Sequence, residues 1–540
     1  MIRRWCSFIV IFLASTPNFA AINPNQTIDH IIANEQSLAE IMRSYSPMVE
    51  TYLQRMQPDS ALGFVPSEDH YFLGRVQFQH AKEEFYLDKR LVERMAGAFS
   101  KLYSLSPVGF SSMIFVDRTG FDRKNYRFHP MHSEFLGEVK CLVFEVSPAK
   151  DHSNRFRGAI WVEDQGLHIV RFNGSYGTFH IDSWRMNLRP GVWLPAVVYS
   201  EEFDSNRPQT GSPKLKAQTR IWGYNLAPAG RDSEFTDITV DPDAAKDSSQ
   251  ASDKSPLDIQ RSWQRRAEDN VLIKLEELGL VVPEGEVDKV LQTVVTNLEV
   301  TNKLELDPDV RCRIMPTTPI EVATIGHTIL VSRGLLDALP NEAALAVILS
   351  HALAHAVLGH DLDSSFAFND RLVVPSLKQL PRFDFKHNAS QEIAADALGQ
   401  KLLANSPYKD NLAEAGLFLK TLGRYGRKVP NLVHANLGES LVTDNRITFM
   451  WQLAEKAPRL ELDNPQQIAA LPLGSRVKLD PWAGQLKFVK ATPPRIYSAK
   501  DKLALEVTPF SPYLTRLNTA LNSGASSESP AASDESRKRD

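Results

Sequence analysis

The 540-residue chain contains only three cysteines, Cys6, Cys141 and Cys312. Their spacing makes no cysteine-rich metal motif, and Cys6 stands too early to be the acylated cysteine of a lipoprotein. Cys141 and Cys312 fall in different expected domains, so two buried free thiols are expected rather than a disulfide. An excess of charge of one sign is also missing. With 61 Lys+Arg against 65 Asp+Glu, nucleic acid and anionic membrane surfaces are not expected partners. The N-terminal apolar run is about ten residues, too short to span a bilayer. No internal repeat is visible, and no histidine–aspartate arrangement stands beside Ser440 to make a serine hydrolase.

What is present describes a soluble, globular, multidomain protein. Hydrophobic residues make up 43% and charged residues 23%, and this length calls for two or three domains. Arg3 and Arg4 precede the apolar run Trp5 to Ala14, and small residues end at Ala20 and Ala21. That order is expected of a signal peptide over 1–21, although Phe19 is a poor fit two positions before Ala21. A periplasmic or secreted location follows as an expectation.

Apolar residues from Ile31 to Leu53 recur at helical spacing, predicting a helical leader over 22–62. From 63 to 230 the character is β-rich: Lys140 to Val146, Arg157 to Val162 and His168 to Phe172 are branched and aromatic runs. Turn residues such as Asp151, Asn154, Asp164, Gly166 and Gly174 separate them. Such strands predict an antiparallel sheet or half-barrel. Arg157-Gly-Ala-Ile-Trp-Val162 and Gly191-Val-Trp-Leu-Pro195 resemble LolA-like carriers, and that resemblance implies lipid or lipoprotein contact through the β-domain. Residues 231–257 have almost nothing to bury and read as a linker. Helical patterns then dominate 258–470, interrupted by strand-like Val310 to Met315 and Thr328 to Ser332. Residues 471–521 are an irregular extension with strand-like Gln485 to Val489, and the Ser-rich, charged tail 522–540 reads as disordered. The fold class expected is α+β multidomain, with an antiparallel β-rich N-terminal domain followed by a mainly helical one.

The densest chemical signal is the apolar segment Asn341 to His360. Asn341 suits a helix cap and Glu342 the first turn. His351 and His355, four apart, leave one helix face one turn apart and can converge on a single ion. A third ligand is sought in Gln391-Glu-Ile-Ala-Ala-Asp396, on a helix expected to be capped by Ser390. Glu392 is that candidate, with Asp396 one turn on to fix the tautomer of a ligating histidine. His327, His360 and His434 read as ordinary surface or core histidines, with His360 alternatively a pocket residue.

The order His327 to Asp337, His351 to His355 and Glu392 to Asp396 resembles the HtpX/BepA-type gluzincin zinc metallopeptidases over about 200 residues. The resemblance implies one Zn2+ on His351, His355 and Glu392, with Asp396 and Arg446 supporting the site. It implies unfolded or envelope proteins or peptides as partners, and classification with hydrolases and proteases. Three departures stand against activity. The motif position that carries the general-base glutamate is Ala352, so no catalytic residue is assigned; losing such a base costs about 10²–10⁴-fold in rate. The segment Pro319-Ile-Glu-Val-Ala323 lacks the family's asparagine. Ser440 stands where the family often has a histidine, six residues before Arg446. The leading expectation is therefore a zinc-binding protein with absent or weak proteolysis. The alternatives are an active envelope metalloendopeptidase with another base, or a lipid or envelope-protein carrier acting through the β-domain.

Overall fold

The computed structural model describes residues 24–60, 63–77, 82–85, 110–150, 155–203, 213–225, 256–360, 385–443 and 446–461, with short stretches at 463–464, 467, 477–480, 485–488, 505, 507 and 514–516. The expected signal peptide, nearly all of the expected linker and the tail 522–540 lie outside them.

Helix α1 (Pro24–Met42) opens the described chain. Ten strands follow: β1 (Met48–Asp59), β2 (Gly63–Gln77), β3 (Lys82–Phe85), β4 (Tyr126–Leu136), β5 (Val139–Pro148), β6 (Arg157–Glu163), β7 (Ile169–Tyr176), β8 (Phe179–Arg189), β9 (Val192–Phe203) and β10 (Pro213–Trp222). They form one sheet in the order β3-β2-β1-β10-β9-β8-β7-β6-β5-β4, with every neighbouring pair antiparallel. The expected helical leader over 22–62 is thereby corrected, because the helix ends at Met42 and β1 takes the rest. The physical reason lies in the burial of β1, whose residues Met48 to Gln54 are all buried. With both faces covered, the strand shows no polar–apolar alternation and its apolar positions mimic helical spacing.

One face of the sheet packs under α1. Ile28, Ile31 and Ile32 meet Phe144, Ile160, Phe172 and Ile181, while Leu38 and Met42 meet Val49, Leu53, Phe72, Leu194 and Val198. Each such side chain, fully buried, contributes roughly 1.5–3 kcal/mol relative to exposure. Glu35 of α1 pairs with Arg185 of β8 at 2.7 Å, both buried. An ion pair in that setting fixes the helix's register more than it adds stability.

The other face packs against the helical part. Met48, Tyr52, Tyr71, Leu73, Tyr199 and Trp222 enter the same core as Leu278, Leu280, Ile314 and Ile320. Polar contacts cross this junction as well. The Glu50 carboxylate accepts from the Thr318 N–H at 2.6 Å, the Thr318 hydroxyl at 2.8 Å and the Tyr71 hydroxyl at 2.9 Å. It also pairs with Arg220 at 3.3 Å, and the Trp222 indole donates to the Gly279 carbonyl at 2.9 Å.

The helical part begins with α2 (Pro256–Glu277) and α3 (Glu286–Asn302). Strands β11 (Arg311–Met315), β12 (Glu321–Ile325) and β13 (Thr328–Ser332) lead to α4 (Arg333–Ala338) and α5 (Glu342–Val357). Then come α6 (Ala389–Ala404), α7 (Leu412–Tyr425), α8 (Pro430–Val433), the two-residue strand β14 (Glu439–Ser440) and α9 (Trp451–Lys456). A four-stranded sheet in the order β11-β13-β12-β14 backs α5, with β11 and β13 parallel. The expected strand-like runs coincide with β11 and β13; β12 and β14 were not anticipated. Cys141 and Cys312 are both free and buried. Among the described residues no helix is long and apolar enough to cross a membrane. The fold class is α+β with an antiparallel N-terminal sheet and a mainly helical remainder.

Candidate metal centre

Helix α5 is buried nearly all round, from Ala343 to Ala356, because its sequence is apolar on every face. Asn341 caps it, its side-chain oxygen accepting the Ala344 N–H at 2.9 Å. His351 and His355, 1% and 0% exposed, present their Nε2 atoms 3.0 Å apart. Two polar rings this deep in a core need partners, since an unsatisfied buried polar group is costly.

Helix α6 packs against α5 and supplies the next group. Its cap is Asn388 rather than the expected Ser390, with the Asn388 side chain accepting from Ser390 and Gln391 N–H and the Gln391 side chain answering. Glu392, in the first turn, places one carboxylate oxygen 3.4 Å from His351 Nε2 and the other 3.4 Å from His355 Nε2. A fourth donor comes from β14, where Glu439 Oε2 lies 3.4 Å from His351 Nε2. One ligand atom each from His351, His355, Glu392 and Glu439 falls within 4.8 Å of the others. Metal–ligand bonds of roughly 2.0–2.1 Å in a tetrahedron put neighbouring donors about 3.3 Å apart. The separations of 3.0–3.4 Å have that scale.

The surroundings hold these donors in ligating form. His351 Nδ1 lies 2.8 Å from Asp396 Oδ1, and that oxygen also accepts the Met450 N–H at 2.9 Å. His355 Nδ1 lies 2.9 Å from His360 Nδ1, so its Nε2 is left facing the cluster. His387 Nδ1 meets the other oxygen of Glu439 at 2.5 Å. His355, His360 and His387 also lie close enough to make a second ligand group. The rings of His355 and His387 are stacked, with centroids 3.8 Å apart and planes 30° apart. A ligating nitrogen points its lone pair within the ring plane, so these two rings cannot share one ion well. His360 and His387 are better read as residues that orient His355 and Glu439.

The electrostatics describe crowded charge awaiting compensation. Burial and the neighbouring Glu439 push the Glu392 carboxyl up to about 7. Burial acts against Glu439 too, but hydrogen bonds from His351 and His387 outweigh it and hold that carboxyl low. Burial lowers His355 to about 2, aided by His351 and His387. His351 goes the other way: burial opposes protonation, but Asp396, Glu392 and Glu439 overcome it. Glu392 Oε1 is buried without a hydrogen-bond partner among the described residues. A divalent cation between the carboxylates would answer both the crowding and the orphaned oxygen. The donor set, two imidazoles and two carboxylates, suits zinc.

Of the residues singled out from the sequence, His351, His355, Glu392 and Asp396 come together. Arg446 does not: it is exposed on a two-stranded hairpin, paired in register with Thr443. Ser440 turns its hydroxyl to accept the Ala435 N–H at 2.8 Å. His327 is buried beside Glu268, 3.3 Å from it, and His434 is exposed; neither reaches the cluster. Ala352 is 1% exposed within the apolar core and offers no proton acceptor. Sequence reasoning missed Glu439 and His387, and left His360 undecided. The available signal was weak: Glu439 adjoins the singled-out Ser440, and His387 sits just before the cap of α6.

No family model and no curated protein matches the chain. Among solved structures it is similar to a LolA superfamily protein from Nitrosomonas europaea, at 11% identity over 38% of this chain and 93% of that one, TM-score 0.22. A DUF1329 family protein from Desulfovibrio piger matches at 12% identity over 40% and 98%, TM-score 0.18. A domain from Vibrio parahaemolyticus described as an outer membrane lipoprotein-sorting protein matches at 10% identity over 37% and 91%, TM-score 0.19. None of these three is described as a peptidase. The expected classification with metallopeptidases, hydrolases and proteases is corrected: none of the matches found carries it, and the motif position that needs a base is Ala352, a buried alanine.

Proposed function

We propose that the helical part of this chain is a non-hydrolytic metal-holding module of an exported envelope protein, binding one zinc-type ion through His351, His355, Glu392 and Glu439. The carrying observation is the fourth protein donor. Catalytic zinc sites keep one position open for water, whereas structural sites are closed by protein ligands. Here Glu439 stands on His351 at the same 3.4 Å as Glu392, which closes the set. When bound, the ion supplies charge compensation and a crosslink between α5, α6 and β14. His360 and Asp396 hold the imidazoles in register, and His387 holds the fourth carboxylate. The test is an assay of zinc-loaded protein on unfolded protein substrates, with His351→Ala as control. Retained zinc without cleavage is expected; wild-type cleavage that the control abolishes overturns the reading.

A second reading concerns the sheet. Its α1-covered face is lined by Phe144, Phe172, Leu194 and Val198 and covered, among the described residues, by α1 and by Phe110, Ile114, Phe115 and Phe121 of the segment before β4, an apolar surface of the kind that lipid or lipoprotein contact requires. In the described residues that face is filled by α1 and the 110–121 segment, so an apolar ligand would have to displace one or both. Binding of a fluorescent fatty acid, strengthened when the Glu35–Arg185 pair is removed by Glu35→Gln, is the expected sign. Saturable binding absent from both proteins removes this reading.

A further inference from the structure

The fourth donor, Glu439, arrives on an irregular segment, and two buried carboxylates hold that segment down. Glu321 of β12, 1% exposed, accepts the N–H groups of Asn436, Leu437 and Gly438 on a single oxygen. Asp69, 2% exposed, accepts the N–H groups of Asn431 at 3.1 Å and Leu432 at 2.8 Å, together with the Asn431 side-chain amide at 2.9 Å. The Asp69 backbone carbonyl accepts that amide's other hydrogen at 2.8 Å, and the Tyr52 hydroxyl donates to its carboxylate at 3.0 Å. At the two clamps the segment is also stitched to the residues just before β12 and just before α6. The Ile320 N–H donates to the Leu432 carbonyl at 2.7 Å, and the Phe385 N–H, two residues before His387, donates to the Leu437 carbonyl at 3.2 Å. Glu321 belongs to the helical part. Asp69 belongs to β2 of the large sheet.

We propose that Asp69 is a positioning residue for the metal centre, through which docking of the sheet and occupancy of the ion are coupled. The inference rests on the metal-holding reading above. Charge-assisted hydrogen bonds to backbone N–H groups are among the stronger ones, and here they come from a different domain than the ligands. If the Asp69 clamp loosens, the entry to the segment is freed and Glu439 loses part of its alignment. Coupling free energies are reciprocal, so the ion must in turn tighten the clamp.

The experiment measures the zinc dissociation constant by chelator competition for wild type, Asp69→Asn and Asp117→Asn. Asp117 caps a turn on the α1 side of the sheet, accepting the Gly120 N–H at 2.9 Å, and controls for general loosening of the sheet. Asp69→Asn should weaken zinc binding about tenfold, the lower end of what loss of an outer supporting partner costs, while Asp117→Asn should leave it unchanged. A purely structural Asp69 would lower the melting temperature with the dissociation constant unmoved, and that result overturns the coupling while leaving the metal reading standing. A wild type that binds no zinc overturns both. Should Asp69→Asn not fold, hydrogen exchange on the wild type decides: zinc should slow exchange at Asn431 and Leu432, and unchanged rates there overturn the proposal.

Discussion

Glu439 Oε2 stands 3.4 Å from His351 Nε2, delivered from a two-residue strand, while its neighbour Ser440 turns to the backbone of Ala435. Of two adjacent residues, one faces the cluster and one fastens the strand that carries it. Alternation along an extended backbone accounts for the division.

That relationship gives a first prediction. Glu439→Gln keeps the shape but removes the charge of a ligand, and should weaken zinc binding by more than about 100-fold, with His387→Ala, an outer partner, costing about 10–100-fold. Ser440→Ala should leave the affinity within about twofold. Chelator-competition titration checks all three, and an equal effect of Glu439→Gln and Ser440→Ala would remove Glu439 from the ligand set.

The junction between sheet and helices gives a second. Burial, with Arg333 nearby, lowers Arg220 to about 10, and the Glu50 carboxylate is its charge partner at 3.3 Å. Glu50→Ala strips that buried guanidinium of its carboxylate, leaving its hydrogen bond to the Pro316 carbonyl, and should cost about 3 kcal/mol. Chemical unfolding measures it. A loss under about 1 kcal/mol would show that water reaches the junction.

Acid sensitivity follows from Glu163. Burial opposes its ionisation, yet hydrogen bonds from His168, Gln165 and Gly166 and the charge of Arg516 bring it from an ordinary 4.5 down to about 2. A carboxyl lowered by folding stabilises fully above its unfolded value, and the contribution disappears as pH falls from about 4.5 to about 2. Discounted for solvent screening, the shift corresponds to on the order of 2 kcal/mol at neutral pH. Glu163→Gln should therefore be less stable than wild type at pH 7, with the gap narrowing steadily below pH 4.5. A gap independent of pH would contradict the assignment.

The candidate site was half legible in the sequence, for a geometric reason. His351, His355, Glu392 and Asp396 lie on two regular helices, where spacings of four translate directly into a shared face. Glu439 and His387 come from a short strand and a helix entry whose positions depend on tertiary contacts at Glu321, Asp69 and Phe385, and no local period reveals those. Arg446, carried over from a family pattern, is exposed on a two-stranded ladder and is not among the clustered donors. The strands β5 to β7 were readable from branched and aromatic runs between turns. Strand β1 was not, because Met48, Tyr52 and Gln54 face one packed surface while Val49 and Leu53 face another.

The central claim is that the four buried donors hold an ion, and metal content with thermal stability tests it most directly. Protein purified without chelator should carry about one zinc per chain by elemental analysis. Stripping should lower the melting temperature, and one equivalent of zinc should restore it, because an ion bound only by the folded state stabilises that state. His355→Ala should carry none and show no response. Wild-type protein that holds no metal, and whose melting temperature zinc does not raise, would contradict the account.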